Sequence, residues 1–269
     1  MDAPRPRVIA HRGSSEDVAE HTLAAYEKAI ADGADGLECD VRLTADGHLV
    51  CVHDRRVERT SNGRGPVSAL ELADLAELDF GGWRRGWDLD DEAEWPERTR
   101  TGILTLDRLL RVVRDAGRPL ELAVETKHPT RYAGLVERRL VELLDRHGLA
   151  HPPLGAASAV RVMSFSPLSL RRLRRLAPSV STVLLMDRLP LRFRDGSLPV
   201  NVRSAGPGID VVRRHPAAVR AFQEQGHEVH VWTVNDAADV RRCVDLGVDV
   251  IITDRPAAVL GQLASGRAP

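Results

Sequence analysis

From about residue 104 onward the sequence alternates short apolar runs with amphipathic ones, and that alternation leaves few folds open. Strand-like runs fall at Leu120–Glu125, Val160–Phe165, Ser181–Met186, Glu228–Val234 and Val248–Thr253, with a weaker one near Gly208–Val211. Between them, helical spacing of apolar residues covers Thr105–Ala116, Arg131–Arg146, Pro167–Leu176, Pro216–Gly226 and Ala237–Leu246, and a last helix starts at Pro256. Ahead of this region Val8-Ile9-Ala10 reads as a buried strand and Thr22–Ala31 as a helix closed by Gly33. A hairpin over Gly36–Asp54 follows, turning at Asp46-Gly47. Main strands thus begin near Val8, Leu37, Leu120, Val160, Ser181, Gly208, Glu228 and Val248. Eight strand–helix units in one chain of 269 residues predict an α/β TIM (β/α)8 barrel, which usually takes about 250 residues. A doubly wound open sheet is the runner-up, but no Gly-x-Gly-x-x-Gly follows the first strand.

One domain over residues 1–269 is expected, with an insertion at about 55–102 after the second strand. That stretch holds Asn62-Gly63, Gly65-Pro66 and Gly81-Gly82, and reads as a cap over one end of the barrel. Ser68–Asp79 is expected to be helical, and Trp83, Trp87 and Trp95 to form the insertion's own small core, with a lipid-contacting lip as the other reading. A net charge of −1 argues against nucleic acid or anionic membrane as a partner. Cys39, Cys51 and Cys243 form no Cys-x-x-Cys pair and read as buried thiols of a reducing compartment. Met1–Arg7 lacks an apolar signal core and no apolar run is long enough to span a bilayer. A cytoplasmic protein without an integral membrane segment is expected; its oligomeric state is open.

Side chains alternate along a strand, so Glu38 and Asp40 share one face while Leu37, Cys39 and Val41 take the other. Adjacent carboxylates in a buried strand repel each other and lose hydration, and a bound hard cation relieves both costs. Glu125 and Lys127 repeat the i, i+2 spacing at the end of the next barrel strand, giving a third carboxylate. Three oxygen ligands without a His or Cys cluster suit Mg²⁺ or Ca²⁺ rather than zinc. Arg12 and Lys127 add positive charge beside that cation, a natural receptor for a phosphate. His11 and His53 supply an acid and a base near neutral pH. All lie at or near the C-terminal ends of strands, where a TIM barrel carries its active site. Trp232 reads either as a wall of the substrate pocket, its indole face against a glycerol backbone, or as buried core.

Taken together the motifs resemble the glycerophosphodiester phosphodiesterase family over nearly the whole chain. The matching segments are His11-Arg12-Gly13, Glu20 with Thr22, Glu38-Cys39-Asp40-Val41, Asp46-Gly47, Val52-His53-Asp54 and Arg59-Thr60-Ser61-Asn62-Gly63. They continue through Glu125-Thr126-Lys127, Val231-Trp232-Thr233-Val234-Asn235 and Thr253-Asp254-Arg255-Pro256. The resemblance implies a divalent metal on Glu38, Asp40 and Glu125, catalytic His11 and His53, and phosphate contacts from Arg12 and Lys127. The family usually reads Pro-Glu-Asn-Thr where this chain has Ala19-Glu20-His21-Thr22, so His21 stands for an asparagine beside the site.

The expected reaction is metal-dependent hydrolysis of a glycerophosphodiester to glycerol 3-phosphate and an alcohol, with His53 as base and His11 as acid. The nucleophile is either water or the substrate's own 2-hydroxyl. An alternative is a phospholipase D-like enzyme acting on lysophospholipid or sphingomyelin with the same residues. A Schiff-base enzyme built on Lys127 and a non-catalytic phosphometabolite-binding protein complete the set of readings.

Overall fold

The computed structural model describes residues 5–84, 100–130, 134–151, 158–200 and 202–265. Eight parallel strands close on themselves: β1 Arg7–His11, β2 Gly36–Leu43, β4 Glu121–Thr126, β5 Val160–Ser164, β6 Ser181–Met186, β7 Ser204–Pro207, β8 Glu228–Val231 and β9 Val250–Thr253. Closure comes from β1, which pairs with both β2 and β9. A short β3, Leu49–Cys51, runs antiparallel to β2 as the return arm of the hairpin. The TIM barrel expected from the alternation is therefore what the chain forms.

Helices cover the outside: α1 Leu23–Ala31, α2 Leu72–Ala76, α3 Leu106–Arg114, α4 Leu135–Arg146, α5 Pro167–Leu176, α6 Ile209–Arg214, α7 Pro216–Glu224, α8 Ala237–Asp245 and α9 Pro256–Ser265. Three of them start where a hydroxyl satisfies a free N–H: Thr22 accepts from Ala25, Thr105 from Arg108 and Ser166 from Ser169. Their apolar faces pack on the outward residues of the strands; Leu37, Cys39 and Val41 of β2 lie in that outer core. All three cysteines are buried free thiols.

Inward residues follow the i, i+2 rule and stack in three layers. At the N-terminal end Arg7, Glu121, Arg161 and Glu228 form a closed ring of ion pairs, with His230 against Glu228. Ile9, Ala123, Met163, Val183, Leu185, Val250 and Ile252 fill the middle. The third layer, at the C-terminal mouth, carries the chemistry. The charged floor below the apolar layer had no signature in the sequence reading, because its members come from four separate strands.

Two expected elements differ. The sixth main strand lies at Ser204–Pro207, ahead of the expected Gly208–Val211, and Ile209–Arg214 is helical. Ser-Ala-Gly-Pro has little strand propensity, but β7 passes so close to β6 that a Cβ on Gly206 would lie 2.8 Å from Leu185 Cδ2. Packing selects the glycine. Asp210 in the first turn and Arg213 and Arg214 in the last suit the dipole of α6 and outweigh its β-branched residues.

In the insertion, Val67–Ala69 is a 3₁₀ turn and only Leu72–Ala76 is α-helical within the expected 68–79 helix. Leu70 and Glu71 are extended, and Glu71 restarts the helix through a capping box with Asp74. Among the described residues the small core beside it is made by Val50, Val52, Val57, Val67, Leu75 and Phe80. Trp83 is half-buried with its indole N–H donating to the Phe80 carbonyl (3.1 Å), while Trp87 and Trp95 lie outside the described residues. Residues 131–133 of the expected helix also lie outside them, and Gly134 caps α4 with φ +79°.

Candidate active site

Register determines which side chains meet. Parallel pairing places His11 opposite Glu38 and Asp40 opposite Glu125, so two carboxylates from neighbouring strands stand at one height with Glu38 a pleat below. Carboxylate oxygens of Glu38, Asp40 and Glu125 all lie within 4.8 Å of one another, and all three residues are buried.

The surrounding charges hold these carboxyls in different states. Burial and the neighbouring charge of Asp40 push Glu38 well above the usual carboxylate range, and the same two causes push Glu125 up to about 8. Burial would raise Asp40 too, but a hydrogen bond from His21 and the charges of Lys127 and Arg12 hold it well below. Lys127 Nζ lies 2.8 Å from both Asp40 Oδ1 and Glu125 Oε1. At Asp40 that approach falls outside hydrogen-bonding angles, so Lys127 is an ion-pair partner of Oδ1 and not a hydrogen-bond donor to it. Three buried carboxyls this close together, with one oxygen accepting no hydrogen bond among the described residues, are a donor set that fits a hard divalent cation.

The folded-state shift of Glu125 makes a sign that can be checked. Between the ordinary value of 4.5 and about 8 the folded chain holds a proton that the unfolded chain has released. Stability from this group is complete below 4.5 and lost as pH rises through 8; Glu38 acts in the same direction. Buried His21 and His230 and the partly exposed His53, whose values are lowered chiefly by desolvation, act oppositely below about 6.5. The clean readout is therefore a difference. In chelator, Glu125→Gln should gain stability relative to wild type, on the order of 3 kcal/mol between pH 5 and 8. Parallel thermal midpoints across that range would contradict the assignment.

His11 pairs with Glu38 across β1 and β2, His53 follows β3 by two residues, and each imidazole is anchored at Nδ1 by a carboxylate: His11 to Asp254 Oδ1 and His53 to Asp54 Oδ1, both at 2.7 Å. Asp254 is itself held by Asn235 Nδ2 (2.6 Å) and Ser15 Oγ (2.9 Å). Burial lowers the His53 value, with Arg12 and Lys127 adding to it and Asp40 opposing. Neither Nε2 has a protein partner among the described residues. An aspartate on Nδ1 fixes the tautomer and leaves Nε2 to exchange a proton.

Arg12 joins the two halves. Its guanidinium lies 3.1 Å from Asp40 Oδ2 through Nε and 3.0 Å from Glu20 Oε1 through Nη1. Glu20 receives two bonds from Arg59 at 2.8 Å, and Arg59 Nε reaches Asp54 Oδ2 at 2.6 Å. The chain of charges thus runs from Asp40 to the aspartate behind His53. Arg12 adopts φ +58°, and Gly13, at φ +88°, passes so close to Ala25 that a Cβ would lie 2.6 Å from its carbonyl carbon.

His21 also has positive φ, +61°, which asparagine and histidine tolerate better than most residues. Its Nε2 lies 2.9 Å from Asp40 Oδ2 and its Nδ1 2.8 Å from the Tyr26 hydroxyl. Trp232 is half-buried and packs against the apolar middle layer, with Nε1 donating to the Gly206 carbonyl (2.7 Å) and its ring edge-on to Phe165. The residues the sequence reading left without roles are Asp54, Asp254, Glu20 and Arg59. Two signals pointed to them: an acid directly after His53 and another closing the last strand.

Fold and site together define a TIM-barrel enzyme with a carboxylate cluster and two aspartate-anchored histidines at its C-terminal mouth. The sequence model of the glycerophosphoryl diester phosphodiesterase family matches residues 11–258, and the chain belongs to that family. It is 44% identical over 266 residues to the probable glycerophosphodiester phosphodiesterase 1 of Mycobacterium tuberculosis, covering 99% of this chain and 95% of the relative. Identity to the glycerophosphodiester phosphodiesterase of Bacillus subtilis is 34%, over 95% of this chain and 86% of that one. Among solved structures, a phosphodiesterase of Oleispira antarctica in complex with the product sn-glycerol-3-phosphate superposes with TM-score 0.79 at 25% identity, covering 97% of each chain.

Proposed function

We propose that this chain hydrolyses glycerophosphodiesters to glycerol 3-phosphate and an alcohol, using a divalent cation held by Glu38, Asp40 and Glu125. One observation carries the reading: three buried carboxyls lie within 4.8 Å of one another at the strand ends, and His11 and His53 of the same strand ends each have Nδ1 anchored by an aspartate. The printed names of the relatives and the product bound to the Oleispira enzyme support the substrate class.

A Mg²⁺ or Ca²⁺ ion at the carboxylates supplies charge neutralisation for a non-bridging phosphate oxygen. Arg12 and Lys127 bind the remaining phosphate charge from the sides and orient the phosphorus. His53, kept neutral by burial, takes the proton of the attacking oxygen at Nε2. His11 delivers a proton from its Nε2 to the leaving oxygen as the P–O bond breaks, and Asp254 stabilises its charged form. The attacking oxygen is water or the substrate's 2-hydroxyl; the second route releases the alcohol with a cyclic phosphate that water then opens, so both end at glycerol 3-phosphate. Trp232 borders the glycerol side. Among the described residues no helix is long and apolar enough to cross a membrane.

The test is turnover of glycerophosphocholine, glycerophosphoglycerol and lysophosphatidylcholine in chelator, then with Mg²⁺ or Ca²⁺ added back. Release of glycerol 3-phosphate from the first two, absent in chelator and restored by a cation, is expected. Turnover of the lysolipid alone would point to the phospholipase D-like reading, and turnover unaffected by chelator would remove the metal.

A further inference from the structure

Between the end of β2, the segment after β3 and the loop after β4 lies a cavity of about 240 Å³. Lys127 forms part of its wall, which joins it to the place where the scissile phosphate would be held. Its polar lining is cationic: Arg42, Arg55 and Lys127, with the hydroxyls of Ser68 and Thr130, against an apolar side that includes Val136. No carboxylate and no aromatic ring lines it among the described residues. Arg42 is held rigidly, donating from Nε (3.0 Å) and Nη2 (2.7 Å) to the His53 carbonyl, while its Nη1 has no protein partner among the described residues. The Arg55 side chain is exposed and has no hydrogen bond or ion pair among the described residues. Arg42 is compensated by the charges of Asp40, Asp54 and Glu125, with Arg55 acting on it as a like charge. Among the described residues the uncompensated cation of the lining is therefore Arg55, which a bound anion would pair. Guanidinium also matches phosphate geometry, through paired N–H bonds. Among the described residues of the lining a quaternary ammonium would find neither of its usual partners, an aromatic face or a carboxylate.

We propose that this cavity is the subsite for the leaving alcohol, and that it selects alcohols carrying a second anionic group, foremost a phosphate, over cationic ones. The inference rests on the diesterase reading above and names the side of the substrate which that reading leaves open. Arg55 and Arg42 grip the distal phosphate, the apolar side accommodates a short carbon skeleton, and Lys127 remains on the scissile phosphate.

The experiment compares three diesters that share the glycerophosphoryl half and differ in the leaving alcohol: choline, glycerol, and glycerol bearing a terminal phosphate. With Mg²⁺ present, kcat/KM for the phosphate-bearing diester should exceed that for glycerophosphocholine by about ten-fold, mostly through KM. Arg55→Gln should bring the ratio close to one, and Arg55→Glu should invert it in favour of choline. A ranking that is the same in all three proteins, or a wild-type preference for choline, overturns the proposal. Calorimetric binding of the choline and phosphate-bearing diesters to His11→Ala protein, with and without Arg55→Gln, separates the two readings. Should no diester turn over, the diesterase reading fails while the binding ratio still decides the subsite. Equal affinities overturn the subsite alone.

Discussion

His53→Ala should lower kcat for glycerophosphocholine by about 10³-fold with little change in the affinity for substrate, and His11→Ala should do the same. Each imidazole is asked to move one proton, a task worth 10²–10⁴-fold in comparable sites. Both act in one bond-exchange event, so the double variant should fall far short of the product of the two losses. Neither change should damage the fold. His53 and His11 are partly exposed at the mouth, and each gives up mainly one hydrogen bond, to Asp54 and Asp254 respectively. Steady-state kinetics on the three variants, with thermal midpoints as a control, checks this. Retention of more than about a tenth of wild-type kcat in either single variant would remove that histidine from the chemistry.

Glu38→Gln and Asp40→Asn should both abolish cation binding and turnover, yet differ sharply in stability. Burial and the Asp40 charge raise Glu38 well above the usual carboxylate range and so favour its neutral form, which an amide of the same shape reproduces. Its stability in chelator should stay within about 1 kcal/mol of wild type. Asp40 is the counter-charge for both Lys127 and Arg12 and the acceptor for His21. Removing it leaves buried cations under-compensated, at a cost of about 3 kcal/mol. Denaturant unfolding of both variants in chelator gives the comparison. Equal losses would mean that the two carboxyls do not differ in charge state as the geometry requires.

Much of this centre was legible because strand periodicity is simple. Alternation put Glu38 and Asp40 on one face and Leu37, Cys39 and Val41 on the other, and the structure has them so. The i, i+2 spacing of Glu125 and Lys127 likewise sufficed to bring them inward once the strands paired in register. What local pattern could not carry was information held by neighbours. β7 is a strand because β6 leaves room only for a backbone there, not because Ser-Ala-Gly-Pro favours one. The helix expected over 68–79 breaks where Glu71 finds a better cap. The Glu20–Arg59 link and the ion-pair floor join residues far apart in the chain, and charge alone does not say which partner each will choose. His21 was visible as a departure from the family's usual asparagine; its hydrogen bonds to Asp40 and Tyr26 needed coordinates.

The claim on which all this turns is that Glu38, Asp40 and Glu125 together hold a single divalent ion. Calorimetric titration of Mg²⁺ and of Ca²⁺ into the metal-free chain at pH 8 tests it most directly. One ion bound per chain, with binding lost in Glu38→Gln despite an intact fold, is the predicted result. Undiminished binding in that variant, or none to the wild type while diesters are still cleaved, would contradict it.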